Sequence, residues 1–360
     1  MNARHPSHPL RLLLAGAAGI ALGVMGPSQA EAAASAEPPA RLSQTGLYAA
    51  GSTTQLRPGI AAFSPQYPLW SDGAEKRRWL RLPPGKAIDA SKPDAWVFPT
   101  GSQVWKEFSH EGRPVETRFI ERLADGSWRF ATYVWREDGS DADLAPARGT
   151  TLPVRAAPGG RYAVPSRADC IACHGSAAAP VLGVSALQLS PDRDALAAHG
   201  RPASAGEVNL RDLAARGWLR GLPAALLAQP PRIAAETAVE RAALGYLHAN
   251  CGHCHNRSGR QVPLPLTLSQ RAADPQASRD EALRSTVLAP SRYQARGGAS
   301  EARVIVPGES QNSVLAMRMQ SRQAQMQMPP LGSELSDAEG LALVTRWINH
   351  DLTQAKETQP

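Results

Sequence analysis

The chain has 360 residues, 42% of them apolar, with four Cys, nine His, eight Trp and a formal charge of +7. That length is enough for two or three domains, and the composition is that of a globular protein, too polar for a bundle of membrane helices. Basic runs interleaved with aromatics are missing from the sequence, so nothing in it points to nucleic acid.

Residues 1–30 read as a signal peptide. Arg4 and Arg11 make a basic n-region, Leu12 to Gly26 an apolar run, and Ser28-Gln29-Ala30 a small-residue cleavage site, with Ala34 as a rival. The run is short for a membrane span, and no other segment is long and apolar enough to be one. The sequence therefore predicts no integral span after cleavage, the alternative being an uncleaved anchor. Cleavage removes Arg4 and Arg11 and no acids, which leaves a charge of +5. Residues 31–58, rich in Ala, Ser, Pro and Gly, read as a linker that orders near Leu47-Tyr48.

Residues 59–164 carry strand signals and predict an antiparallel β-rich domain. The clearest pair is Val115 to Leu123 and Ser127 to Trp135, joined at Ala124-Asp125-Gly126. In the second strand Trp128, Phe130, Thr132 and Val134 face one way, and Arg129, Ala131, Tyr133 and Trp135 the other. Six of the eight Trp lie in this region (Trp70, Trp79, Trp96, Trp105, Trp128 and Trp135). They read as core aromatics before they read as a ligand surface. His110 follows a strand and reads as part of an exposed turn.

Residues 165–232 hold Cys170-Ile171-Ala172-Cys173-His174, followed by a loop rich in Gly, Ala and Pro and a short helix near Leu210 to Leu219. Residues 233–352 open on a helix from Ala234 to Asn250 with Val239, Ala243, Tyr246 and Leu247 on one face. It leads into Cys251-Gly252-His253-Cys254-His255. Met326-Gln327-Met328-Pro329-Pro330 follows, and Ser336-Asp337-Ala338-Glu339 reads as a capping box for a last helix to about Asp351. Residues 353–360 are a tail.

The pattern Cys-x-x-Cys-His is the attachment motif for c-type haem, and its two copies use every cysteine in the chain. Two thiols three positions apart each form a thioether to a porphyrin, and the adjacent imidazole supplies iron with a nitrogen. The competing readings are two disulfides, or one zinc site made by all four cysteines. A zinc ribbon wants its pairs about 15–20 residues apart, not a domain's length, and neither reading needs a His after both pairs. The motifs therefore predict two covalently bound haems c, on Cys170, Cys173 and His174 and on Cys251, Cys254 and His255.

The last segment resembles a small class I cytochrome c: helix, haem motif, Met-Pro loop and closing helix, with Gly245-Tyr246 set against Trp347. The resemblance implies His255 and Met328 as the axial pair of one iron, with Met326 as the rival. A thioether opposite imidazole favours the ferrous state. The first iron takes His174, and its sixth position is open between His199, His110, Met317, Met319 and no ligand at all. His248 and His253 read as packing or hydrogen-bonding residues.

The order of segments also resembles a family of exported bacterial dihaem c-type cytochromes. That resemblance rests on Pro68-Leu69-Trp70-Ser71-Asp72-Gly73-Ala74-Glu75-Lys76-Arg77-Arg78-Trp79, on Phe98-Pro99-Thr100-Gly101 with Val104-Trp105-Lys106, on Glu116-Thr117-Arg118, on Tyr133-Val134-Trp135, on the haem motifs and on Met328-Pro329-Pro330-Leu331-Gly332. It covers about residues 60 to 350. It implies haem attachment outside the cytoplasm, a periplasmic or exported location and electron transfer, and it gives Lys106 and Glu116 no role. The fold class expected is α+β and multidomain: an antiparallel β domain followed by mainly α-helical cytochrome c-type haem domains. The function expected is electron transfer to an unidentified redox partner protein, which the basic charge would help to dock if that partner is acidic. Two alternatives stand beside it: a peroxidase- or oxygenase-like dihaem enzyme with an open first haem, and a β-domain ligand binder with a cytochrome as electron outlet.

Overall fold

The computed structural model describes residues 37–257, 265–293 and 302–352. The proposed signal peptide and the tail lie outside them. Ten strands are described: β1 (Ile60–Ala62), β2 (Glu75–Arg81), β3 (Ile88–Asp89), β4 (Gln103–His110), β5 (Arg113–Arg122), β6 (Trp128–Trp135), β7 (Ala142–Leu144), β8 (Thr150–Pro153), β9 (Arg161–Val164) and β10 (Leu219–Arg220). The hairpin that is plainest in the sequence is the centre of the sheet. β5 pairs antiparallel with β6 from Glu116↔Val134 to Arg122↔Trp128. Gly126 closes its turn at φ +84°, and Asp125 Oδ1 accepts from the Ser127 N–H at 2.8 Å.

β1, β2, β4, β5, β6 and β7 make one six-stranded sheet in that order, antiparallel throughout. Alternation along the strands gives it two unlike faces. On one face Trp79, Trp105, Phe119, Ala131 and Tyr133 are buried with Leu42, Leu47 and Tyr48 from the preceding segment, and Trp105 Nε1 donates to Thr45 Oγ1 at 2.9 Å. On the other face Leu80, Val104, Ile120 and Phe130 enter a core that continues through Leu187, Leu213, Leu247 and Ile305 to Trp347. Two further pairs are small: β8 with β9, and β10 parallel to β3.

Seven short helices follow the sheet: α1 (Arg167–His174), α2 (Leu210–Ala215), α3 (Ala225–Ala228), α4 (Ala238–Asn250), α5 (Pro275–Thr286), α6 (Val314–Gln320) and α7 (Ala338–Arg346). This overturns the expected fold class. Among the described residues the largest element is the six-stranded sheet; the helices are few, the longest has 13 residues, and they do not make mainly α-helical cytochrome c-type domains. The described residues from Pro38 onward belong to one unit, and a single core runs from Ala61 in β1 to Leu352. The physical reason is in the composition. Pro180, Pro191, Pro202, Pro223, Pro230 and Pro231 punctuate the stretch between α1 and α4, and proline stops helix growth by removing an N–H and clashing with the turn before it.

Where helices do form, the sequence cues are local. Thr237 accepts from the Glu240 N–H at 3.0 Å to start α4. Val239, Ala243, Tyr246 and Leu247 then bury one face. Asp337, rather than the expected Ser336, caps α7 by accepting from the Gly340 N–H at 2.9 Å. α4 and α7 pack closely at Gly340, where a Cβ would come within 2.2 Å of the Tyr246 ring.

Candidate functional site

The first Cys-x-x-Cys-His lies inside α1. Ser166 Oγ accepts from the Asp169 N–H at 3.1 Å, and Asp169 Oδ2 accepts from the Ser166 N–H at 2.9 Å, a reciprocal cap that starts the helix four residues before the first thiol. α1 rests on the sheet, with the His174 ring 5.3 Å from that of Phe130 on β6. His174 Nδ1 lies 2.5 Å from the Pro180 carbonyl oxygen. A carbonyl only accepts, so Nδ1 carries the proton and donates, and Nε2 keeps its lone pair. Burial pushes the imidazolium pKa down to about 4, against a smaller upward pull from the Pro180 carbonyl. The ring is therefore neutral at pH 7, the form that binds a metal.

The second copy begins at the C-terminal end of α4. Cys251 donates to the Leu247 carbonyl at 2.9 Å as the helix ends, and the Cys254 and His255 N–H groups both return to the Cys251 carbonyl, at 3.1 and 2.9 Å. Gly252 is required there, since a Cβ would meet the His248 carbonyl oxygen at 2.6 Å and Ser269 Cα at 3.0 Å. His255 is buried, and its Nδ1 has no hydrogen-bond partner among the described residues. Its pKa is lowered, first by burial.

The fold brings the two copies together. Asn256 Nδ2 donates to the Ser176 carbonyl at 3.2 Å and to Gly252 O and His253 O at 2.8 and 3.0 Å. Cys173 and Cys254 are close neighbours: their interaction raises the Cys173 pKa and, with help from His253, lowers that of Cys254. All four cysteines are free thiols. Among the described residues no three His, Cys, Asp or Glu side chains converge as a protein-only metal site needs. A haem iron asks for two axial ligands only, since the porphyrin supplies the rest. The donor set fits haem attachment. There are paired thiols at each site, and the first imidazole is locked by a second partner that leaves its iron-binding nitrogen free.

The other candidates fall in distinct places. The Met328 N–H donates to the Arg318 carbonyl at 3.0 Å, and Arg318 Nε donates to the Met326 carbonyl at 2.8 Å. Arg318 is also an electrostatic neighbour of His255, so both methionines lie on a segment held by a residue close to the second motif. Met319 is buried in α6. His199 uses both ring nitrogens on acids: Nε2 lies 2.8 Å from Asp337 Oδ1, and Nδ1 lies 3.1 Å from Glu339 Oε2. His110 is buried against Tyr162 at the end of β4, not in the exposed turn expected for it. Its neighbour Ser109 follows a register shift in the β4–β5 ladder, and such irregularities re-aim the side chains beyond them. His248 accepts the Gln270 N–H on Nδ1 at 3.0 Å, in keeping with a packing role.

The Pro68 to Gly73 stretch supplies contacts that motif reasoning did not assign. The Trp70 N–H donates to Asn250 Oδ1 at 2.8 Å, one residue before Cys251. The Asp72 carboxylate accepts the N–H groups of Glu334 and Leu335 at 2.9–3.0 Å, just beyond Met328. One loop thus ties the residue before the second motif to the segment that follows Met328. The Asp-Gly turn was the signal for it, with Asp72 at φ +49° and Gly73 at φ +74°.

Comparison of the chain with protein-family models, with curated proteins and with solved structures returned no match.

Proposed function

We propose that the protein is an exported, periplasmic dihaem c-type cytochrome that passes electrons through two covalently attached haems to a redox partner protein. The carrying observation is that two Cys-x-x-Cys-His motifs, which use every cysteine of the chain, meet at Cys173 and Cys254 although some 80 residues separate them. Haem iron, when bound, alternates between ferrous and ferric and so carries one electron.

The protein's own residues supply the rest. Cys170, Cys173, Cys251 and Cys254 anchor the two groups. His174 and His255 present imidazole nitrogens, the first oriented by the Pro180 carbonyl. Burial lowers the pKa of both rings, which keeps them in the neutral form that binds iron. Asn256 holds the motifs side by side, which favours exchange between the groups because tunnelling falls steeply with distance. Met328 is the proposed sixth ligand at His255.

A second reading, a dihaem redox enzyme with an accessible first iron, draws on His199: the histidine nearest in sequence after the first motif is tied to Asp337 and Glu339. Mass spectrometry and the electronic and EPR spectra of the oxidised protein test both readings. Two covalent haems, both low-spin, are the outcome expected of a carrier. One high-spin haem that binds cyanide moves the function to the enzyme. A haemless chain with a Cys173–Cys254 disulfide overturns the proposal.

A further inference from the structure

A row of basic side chains crosses the sheet on the side turned toward α1. Arg78 on β2, Lys106 on β4 and Arg118 on β5 stand directly opposite one another in register, so all three project from the same face. Lys76 lies further along β2, opposite Phe108. Arg118 is held by Glu116 at 2.5 and 2.6 Å, and it lies over the Phe108 ring at 4.2 Å. Lys106 Nζ lies over the same ring at 4.6 Å. Arg78 is only 9% exposed.

Among the described residues no carboxylate hydrogen-bonds or ion-pairs with the side chain of Arg78 or Lys106. The acids in their surroundings are engaged elsewhere. Glu116 holds Arg118, Glu207 holds Arg201 and Ser64, Asp337 holds His199, and Asp72 accepts the backbone of Glu334 and Leu335. Burial, and then the neighbouring cations Arg78, Arg118 and Lys76, push the Lys106 ammonium well below its ordinary range. Burial likewise takes Lys76 to about 7 and Arg78 to about 10. Arg78 is buried and Lys106 half-buried, and a cation drawn out of water favours an anionic partner, so this face of the sheet suits an anion.

Its position says which anion. Arg118 is an electrostatic neighbour of Cys170 and Cys173, and Lys106 and Arg118 are both neighbours of His174. A c-type haem carries its thioethers on one edge and its two propionates on the opposite edge. Two inter-strand steps, about 10 Å, separate Arg118 from Arg78. A ring tethered beside Arg118 would have Lys106 and Arg78, the two basic side chains without a carboxylate partner, within that span of its carboxylate edge. We propose that Lys106 and Arg78 form a carboxylate-binding site that receives the propionates of the haem tethered at Cys170 and Cys173. The inference rests on the dihaem reading above and gives the sheet its part in it, the counter-charge for the first haem.

The test uses the full-length protein with its haems attached, counted first by mass. Lys106→Gln and Arg78→Gln are made singly, with Lys106→Arg and Arg78→Lys beside them, so that misfolding of one variant leaves the other informative. Loss of a cation beside one haem disfavours its ferrous form. The reduction equilibrium of one haem falls about tenfold, a potential drop of about 59 mV for one electron, and that of the other haem does not move. The charge-keeping variants restore most of the shift. Two attached haems with unmoved potentials overturn the site and leave the dihaem reading intact; a haemless chain overturns both. If Lys106→Gln converts one haem from low-spin to high-spin, Lys106 is an iron ligand and the carboxylate assignment fails. If millimolar acetate shifts a potential of the unmodified protein, the cations serve a free carboxylate and not the propionates, which also overturns it.

Discussion

The two Cys-x-x-Cys-His segments are chemically alike and are placed by opposite means. Cys170 to His174 sits within a helix that begins just before it, fixed from its N-terminal side by the Ser166–Asp169 cap and from beneath by Phe130 of the sheet. Cys251 to His255 sits where a 13-residue helix ends, and it is fixed from behind by that helix, by Asn250 and Trp70, and by the tight approach at Gly252. His174 Nδ1 donates to the Pro180 carbonyl, whereas His255 Nδ1 has no hydrogen-bond partner among the described residues. The first motif faces Lys106 and Arg118, and the second has Arg318 as its electrostatic neighbour. A five-residue motif fixes what is bound; the elements around it fix basicity, charge and access, and those set the potential of a haem.

The largest test of this comparison removes one motif at a time. Cys170→Ala/Cys173→Ala and Cys251→Ala/Cys254→Ala should each lower the intact mass by one haem and leave the other haem's spectrum in place. Should either double variant retain the mass of the unmodified protein, that motif does not carry a haem. Met328→Ala follows in size. It should abolish the low-spin His/Met spectrum of the haem at His255 and leave the haem at His174 untouched. An unchanged spectrum passes the assignment to Met326, on the same Arg318-held segment.

Much of this comparison was legible in the sequence, for physical reasons. The motifs are readable because two Cys and a His fall within five consecutive residues, and the β5–β6 hairpin because period-two alternation and an Asp-Gly turn are both local signals. Tyr246 on the buried face of α4 was readable from helical spacing. Its partner at the crossing, Gly340, was not, because a glycine conserves no pattern and its role is the space it leaves. The error in fold class came from reading each helical segment as a domain of its own. The sequence does not display that Leu80, Ile120 and Phe130 share a core with Leu247 and Trp347, since that depends on which face of the sheet the later chain covers. The Pro180 carbonyl, the Asn256 bridge and the pairing of Trp70 with Asn250 were equally hidden, being long-range or backbone contacts with no composition of their own.

Acid should separate the motifs by a smaller effect. His248 lies one helical turn before Cys251, and burial depresses its pKa from 6.5 to about 4. The folded state therefore holds it neutral where the unfolded chain protonates it. Its contribution is complete above pH 6.5, falls as the pH drops from 6.5 toward 4, and is gone below that. The shift sets an upper bound of about 3 kcal/mol, since each pH unit is worth about 1.36 kcal/mol and His248 keeps an exposed edge. His174 and His255, once bound to iron, are held neutral and do not add to this slope. Denaturant titrations from pH 7 to pH 4 should show the loss, and His248→Gln should flatten it while its amide oxygen still accepts the Gln270 N–H. An equally steep loss in the variant assigns the slope to other groups, His110 first, whose pKa burial also lowers.

The smallest effect addresses the contact between the motifs. Asn256 spans them, donating to Ser176 after the first His and to Gly252 and His253 within the second motif. Asn256 is partly exposed, so in Asn256→Ala water replaces part of what its carbonyl partners lose, and the cost in stability should be about 1 kcal/mol. The informative readout is electrochemical. Each haem should keep its own ligation spectrum, because no iron ligand has been touched, while the dependence of one potential on the oxidation state of the other weakens as the segments loosen. A variant whose two potentials interact as strongly as before would show that the motifs are held together by the Cys173–Cys254 side and by the shared core, with Asn256 a passenger on that arrangement.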